Sequence, residues 1–197
     1  HYVTTMPLLE KGYNILLEKP ITANAKELLE IEEKAKEKGC KVVVCHVLRY
    51  TMFYSKIKSI IDSGKIGKIV NMQLNEHVWY GHFVNSYVRG KWRSEKECGS
   101  GLLLAKCCHD VDLMQWLLGE KCTKVQSFGS RTFFREENAP EGAPLRCTDG
   151  CPHAETCFYN ASKFYNSGTS EANHFRRIVC NSFEKLSVEE FDELLKT

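Results

Sequence analysis

The sequence contains no apolar run approaching the roughly 20 residues needed to span a bilayer. It also has no surplus of one charge: 27 Lys and Arg face 25 Asp and Glu, a net charge of +2. Neither a nucleic-acid backbone nor an anionic membrane surface is therefore an expected partner. His1-Tyr2-Val3-Thr4 has neither the basic start nor the apolar core of a secretory signal, which makes a cytoplasmic location the expectation. Internal repeats and low-complexity tracts are absent, and so is any Gly-x-Gly-x-x-Gly loop, the turn that seats a dinucleotide pyrophosphate on a helix N-terminus. What is present is ordinary for a soluble α/β protein: 197 residues, 43% hydrophobic and 26% charged, enough for one domain or parts of two.

Cysteine is not scarce, with ten in the chain. Cys40, Cys45, Cys107, Cys108 and Cys122 lie in or beside apolar stretches, where a reduced Cys packs as a small hydrophobe. A disulfide scaffold does not suit a chain of this length with ample core material. The segment Cys147-Thr148-Asp149-Gly150-Cys151-Pro152-His153-Ala154-Glu155-Thr156-Cys157 is different, since three thiolates and His153 could supply four tetrahedral zinc ligands. Its spacing matches none of the paired zinc knuckles, and a Gly/Pro-containing loop with incidental thiols is the preferred reading.

The first fifty residues alternate in character. A short helix from Thr4 to Lys11 closes at Gly12, and the apolar run Tyr13 to Leu17 reads as a buried strand. Thr22 is expected to cap a long helix with apolar positions at Leu28, Leu29, Ile31 and Ala35, ended by Gly39 before a strand from Lys41 to Val47. This is the β-α-β rhythm of a parallel sheet. A helix from Phe53 to Ser63 follows, then the turn Ser63-Gly64-Lys65-Ile66-Gly67. Beyond it, long strands are expected at Lys68 to Val78 and Lys124 to Phe134, flanking a helical region from Leu102 to Leu118. The change near Tyr50 divides the chain into 1–50 and 51–197.

Two motifs about ninety residues apart carry chemistry. Glu18-Lys19-Pro20 follows the first strand directly, and ligands in open α/β sheets bind at the strands' carboxyl ends. A Lys there can be a desolvated proton-transfer group. The second motif, His109-Asp110-Val111-Asp112, opens a helix. His109 and Asp112 are three apart and share a face, with Leu113, Trp116 and Leu117 directed to the core side. Taken alone, a Lys-Pro loop and a His near a helix start are commonly structural.

These motifs stand in a longer series. Glu18-Lys19-Pro20-Ile21-Thr22, Val42 to Tyr50, Ser63 to Ile69, Arg89-Gly90-Lys91-Trp92-Arg93 and His109 to Leu113 occur in the order and spacing of the Gfo/Idh/MocA oxidoreductases, and the chain resembles that family over essentially its whole length. The fold implied is α/β plus α+β: the C-terminal part of a Rossmann-type parallel sheet, then part of an open, mostly antiparallel sheet domain with helices on one face. His1 matches the middle of the family's first domain, and the family continues with further strands after a helix such as Ser187 to Thr197. The expectation is thus an internal fragment.

The activity implied is hydride transfer between NAD or NADP and a secondary alcohol of a sugar, polyol or glycoside. By this resemblance His109 is the acid or base at the reacting hydroxyl, and Lys19 orients substrate and nicotinamide or relays the proton. Asp112 fixes substrate hydroxyls or the imidazole. Glu18, Pro20 and Arg49 join Lys19 near the cofactor, while Tyr50 and Trp92 lie on the substrate side. Burial and a nearby ammonium would both hold the His109 pKa down, favouring the basic imidazole. One departure is evident: Ala105 stands four residues before His109, where inositol-dehydrogenase-like members carry Asp, and Lys106 follows it. Lys106 either supplies a second cation to the cleft or sits on a solvated face. No catalytic metal is expected, the partner is a small carbohydrate, and the full-length protein is expected to be a homo-oligomer. Two other readings are a non-catalytic sugar-binding relative and a zinc module at Cys147, Cys151 and Cys157.

Overall fold

The computed structural model describes residues 1–180 and 186–195. In chain order the elements are helix α1 (Tyr2–Glu10), strand β1 (Ile15–Leu17), helix α2 (Ala25–Lys38), strand β2 (Val42–Val44), a 3-10 turn (Val47–Tyr50) and helix α3 (Met52–Asp62). A single turn α4 (Tyr80–Phe83) runs into a π-turn (Val84–Val88), followed by the short α5 (Glu95–Cys98) and α6 (Leu102–Ala105) and by α7 (Cys108–Leu118). A 3-10 turn (Glu136–Asn138) precedes α8 (Ala161–Tyr165), α9 (Ser170–Cys180) and α10 (Val188–Leu194). No helix among the described residues is long and apolar enough to cross a membrane.

The chain packs as two compact units, one of residues 1–79 and 91–126, the other of 80–90 and 127–197. In the first, β1 and β2 pair in parallel with Ile15 opposite Val42, Leu16 opposite Val43 and Leu17 opposite Val44. Helix α2 is the crossover between them. The Asn24 side chain accepts from the Lys26 N–H, so the cap falls two residues beyond the expected Thr22, and Gly39 ends the helix at φ 66°. Glu27 in its first turn and Lys36 and Lys38 in its last complement the helix dipole. Ile31 and Ala35 pack on Leu9 of α1, with Met6, Ile15 and Val42 around them. Leu17 is buried, but Leu16 is 74% exposed, so the expected buried strand is covered on one face only.

The second unit is held by rings. Tyr165, Phe175 and Phe191 pack with Ala161 in its core, and Cys147 lies against them. Ser187 and Glu190 form a reciprocal capping box that starts α10, inside the helix expected from Ser187 to Thr197; residues 196–197 lie outside the described residues. Gly90 is required by close approach, because a Cβ there would stand 2.0 Å from the Asn85 carbonyl oxygen.

The long strands do not form. Among the described residues the sheet has two strands, and neither 68–78 nor 124–134 belongs to it. The expected open antiparallel sheet is therefore absent from these residues. A strand is a paired state, and alternation supplies the faces without supplying the ladder. Met72, Leu74 and Val78 remain half-buried in the alternating manner, whereas Val125 and Phe128 are 85% and 92% exposed. The carbonyls of Arg131, Thr132 and Phe133 accept instead from the side chains of Arg135 and Asn138, which curl this segment into a turn.

Candidate active site

The site lies in the first unit at the carboxyl end of the parallel pair. Register places it there: Leu17 and Val44 are opposite one another, and Lys19 and His46 each follow two residues later. The Lys19 ammonium donates to the Ala105 carbonyl at 3.1 Å. That bond ties the β1 end to α6, one turn before His109, and brings the two distant motifs into one place. The Lys19-Pro20 peptide is cis.

His109, in the first turn of α7, has its pKa lowered from the ordinary histidine value, first by burial, then by the charges of Lys19, His46 and Lys106, with Asp110 opposing. The neutral imidazole is therefore the favoured form, as the sequence implied. Its Nδ1 is buried without a hydrogen-bond partner among the described residues. The His46 ring stands edge-on to it at 6.1 Å between centroids. Burial pushes the Asp110 carboxyl above the usual carboxylate range, with Glu76 adding to the effect. It likewise raises the thiols of Cys107 and Cys108.

Asp112, one turn along α7, is held by Arg49. Nε donates to Oδ2 at 2.7 Å and Nη2 donates to Oδ1, a two-pronged pairing that matches the carboxylate plane. The guanidinium also lies over the Trp116 ring at 5.8 Å. The carboxylate is only 11% exposed, and His46 Nε2 approaches Oδ1 at 3.6 Å. Lys106 pairs with Glu76 at 3.1 Å, half-buried. It is thus neither a bare cleft cation nor a freely solvated one, although its charge is felt at His109.

A cavity of about 840 Å³ opens beside this cluster, and Lys19, Pro20, His46, Ser100, Cys108 and Asp112 are among its walls. His109 does not line it, nor do Glu18, Arg49, Tyr50, Trp92 and Lys106. Tyr50 ends its 3-10 turn 79% exposed, and Trp92 is covered by the Lys91 ammonium at 5.3 Å from the ring centre. Glu18 acts on the Cys45 thiol, which is raised mainly by burial. His46 and Ser100 were not singled out by the motifs. His46 could have been found from strand register, but Ser100 in Gly99-Ser100-Gly101 gives no signal of its own.

The Cys147 to Cys157 loop forms no comparable centre. Among the described residues no group of three or more His, Cys, Asp or Glu side chains is placed to hold a metal, and His153 Nε2 is engaged with the Glu141 carbonyl at 2.8 Å.

Comparison with known proteins follows this geometry. Residues 1–46 match the oxidoreductase family's NAD-binding Rossmann fold, and residues 54–151 match the GFO/IDH/MocA C-terminal domain. The chain belongs to the Gfo/Idh/MocA family. Among its relatives are YteT of Bacillus subtilis, an oxidoreductase by name, 29% identical over 81% of this chain and 37% of its own length. Two scyllo-inositol 2-dehydrogenases of the same organism match as well. The NAD(+) protein is 31% identical over 61% of this chain and 32% of its own length. The NADP(+) protein IolW is 29% identical over 60% of this chain and 32% of its own. The chain spans about a third of the length of these Gfo/Idh/MocA relatives.

Proposed function

We propose that this chain carries the proton-transfer side of an NAD(P)-dependent oxidoreductase acting on a secondary alcohol of a sugar, polyol or glycoside. The observation that carries the reading is the Lys19–Ala105 bond, which brings the ammonium of one motif near enough to the other for its charge to help hold the His109 imidazole neutral, beside a cavity that Lys19 lines. Relatives named as inositol dehydrogenases support the substrate class, and the Rossmann match over residues 1–46 supports the nucleotide.

The residues fit the nicotinamide end of such a cofactor. Lys19 and Pro20 wall the cavity at the carboxyl end of β1, where an open parallel sheet receives ligands. When bound, the nicotinamide supplies the hydride acceptor or donor. The chain's own part is the proton. In alcohol oxidation the neutral His109 imidazole takes the hydroxyl proton, and its depressed pKa keeps it able to do so at neutral pH. Lys19, fixed by Ala105, presents a positive charge where an alkoxide would develop, which favours deprotonation and lowers the barrier. Arg49 holds Asp112, so the pair acts as a brace between the β2 end and α7. The carboxylate presents its cavity side already oriented.

Turnover with NAD and NADP against scyllo-inositol and D-xylose tests this reading. Lys19→Ala and His109→Asn should each lower kcat by about 10² to 10⁴, the usual contribution of a positioned acid-base group. Because this chain is expected to be inactive alone, the test is read on the full-length protein, and Lys19→Ala and His109→Asn variants that keep its kcat would refute the reading.

A further inference from the structure

Asp110 stands beside His109 in the first turn of α7, and its Oδ2 is buried without a hydrogen-bond partner among the described residues. An anion is held there at a high cost, because it gives up its hydration and no group donates to that oxygen in return. The neutral acid costs far less.

A cation stands close by and is turned elsewhere. Lys106 lies four residues before Asp110, a spacing at which two side chains along a helix can pair. Its ammonium is instead 3.1 Å from a Glu76 carboxylate oxygen, and Glu76 comes from the segment 68–78 rather than from α6 or α7. The Lys106 carbonyl accepts from the His109 N–H at 3.4 Å, so the lysine is anchored at the α6–α7 junction while its side chain reaches Glu76. Glu76 thus takes up the cation that would stabilise an ionised Asp110, and it adds a negative charge of its own nearby.

His109 feels the result. Lys19 at the end of β1, His46 at the end of β2 and Lys106 all favour its neutral imidazole, and an ionised Asp110 opposes them. Asp110 itself is faced by Glu76, Lys106, Cys107 and Cys108. We propose that Glu76 is a positioning residue for His109: by taking the Lys106 ammonium it leaves Asp110 as the neutral acid, so that this carboxyl places no negative charge beside the imidazole. The use of that imidazole as a proton acceptor rests on the dehydrogenase reading above; the charge arrangement rests on the Glu76–Lys106 pair and the unpartnered Asp110 oxygen.

The test follows the His109 imidazole resonances by NMR through pH, identified by their loss in His109→Asn. It compares the parent chain, Asp110→Asn, Glu76→Gln and the double variant, with thermal melting of each alongside. Asp110→Asn should leave the His109 midpoint in place and melt no lower than the parent, because it replaces a neutral acid by a neutral isostere. Glu76→Gln frees Lys106 to turn to Asp110, which then ionises. His109 should bind its proton about threefold more tightly as a result, the effect of one new charge at roughly 6 Å in a water-like setting. In the double variant that gain should vanish. The proposal is overturned if Asp110→Asn lowers the His109 midpoint or melts several degrees lower, if Glu76→Gln leaves the midpoint unchanged, or if its effect persists without Asp110. In the full-length protein, Glu76→Gln should move the rising limb of alcohol oxidation toward higher pH. If the imidazole midpoint moves and that limb does not, His109 is not the base, and the dehydrogenase reading fails while the charge arrangement stands.

Discussion

The pairing of Arg49 with Asp112 gives a test whose size can be worked from the structure. Asp112 is 11% exposed and Arg49 36%, so the two charges are unequally buried. Breaking a fully buried pair costs about 3 to 5 kcal/mol, whereas a hydrogen bond to a charged group in a wetter setting is worth about 1.5 to 3 kcal/mol. Asp112→Asn leaves the more exposed guanidinium, which regains water, so the loss should fall near the lower range, ~2 kcal/mol. For a chain of this size that is a fall of roughly 4 to 8 °C in Tm. Arg49→Met should cost more, about 3 kcal/mol, because it strands the deeper carboxylate with only the more distant His46. The double variant should lose distinctly less than the sum, since each change removes the same bonds. Urea unfolding of the four proteins measures the coupling. Additivity within about 0.5 kcal/mol would show that the two side chains do not act as a brace.

The local fold was legible wherever one short-range cause sufficed. Gly39 and the Lys-rich last turn of α2 announce its end, and the spacing of Ile31 and Ala35 announces the buried face. The N-terminus of α2 was misplaced because Thr22 and Asn24 are both good caps. The choice went to Asn24, with Thr22 bonding Glu27 and accepting from the Asn24 N–H at 3.1 Å. Strands were less legible, since alternation in 68–78 shows which residues could share a face but says nothing about a pairing partner. At the site, the chain alone places Lys19 after a strand and His109 at a helix start, and only the family resemblance attaches chemistry to them. The engagement of Asp112 by Arg49 could not be read, because residues sixty-three apart meet only once β2 and α7 are packed. Ser100 was invisible because nothing in Gly99-Ser100-Gly101 marks a residue that the fold buries in the cavity wall.

Two further outcomes follow from the geometry. Gly90→Ala should destabilise the protein by about 2 to 3 kcal/mol, at the upper end of overpacking, because the new methyl meets the Asn85 backbone rather than a movable side chain. Gly129→Ala, where the space is open, should change urea stability little and serves as its control. For His109 the imidazole resonances followed by NMR should titrate below the ordinary value of 6.5, since burial, Lys19, His46 and Lys106 all disfavour the charged form. The unfolded chain then binds the proton first as pH falls. His109 accordingly subtracts stability from near pH 6.5 downward, until the folded-state pKa is passed, and His109→Asn should remove that part of the acid loss. Lys19→Met should raise the His109 pKa more than Lys106→Ala does, because Lys19 is the larger influence and the Lys106 charge is paired with Glu76. A His109 that titrates at or above 6.5 would mean that the imidazole is not held neutral, and the proton-acceptor role would lose its electrostatic basis.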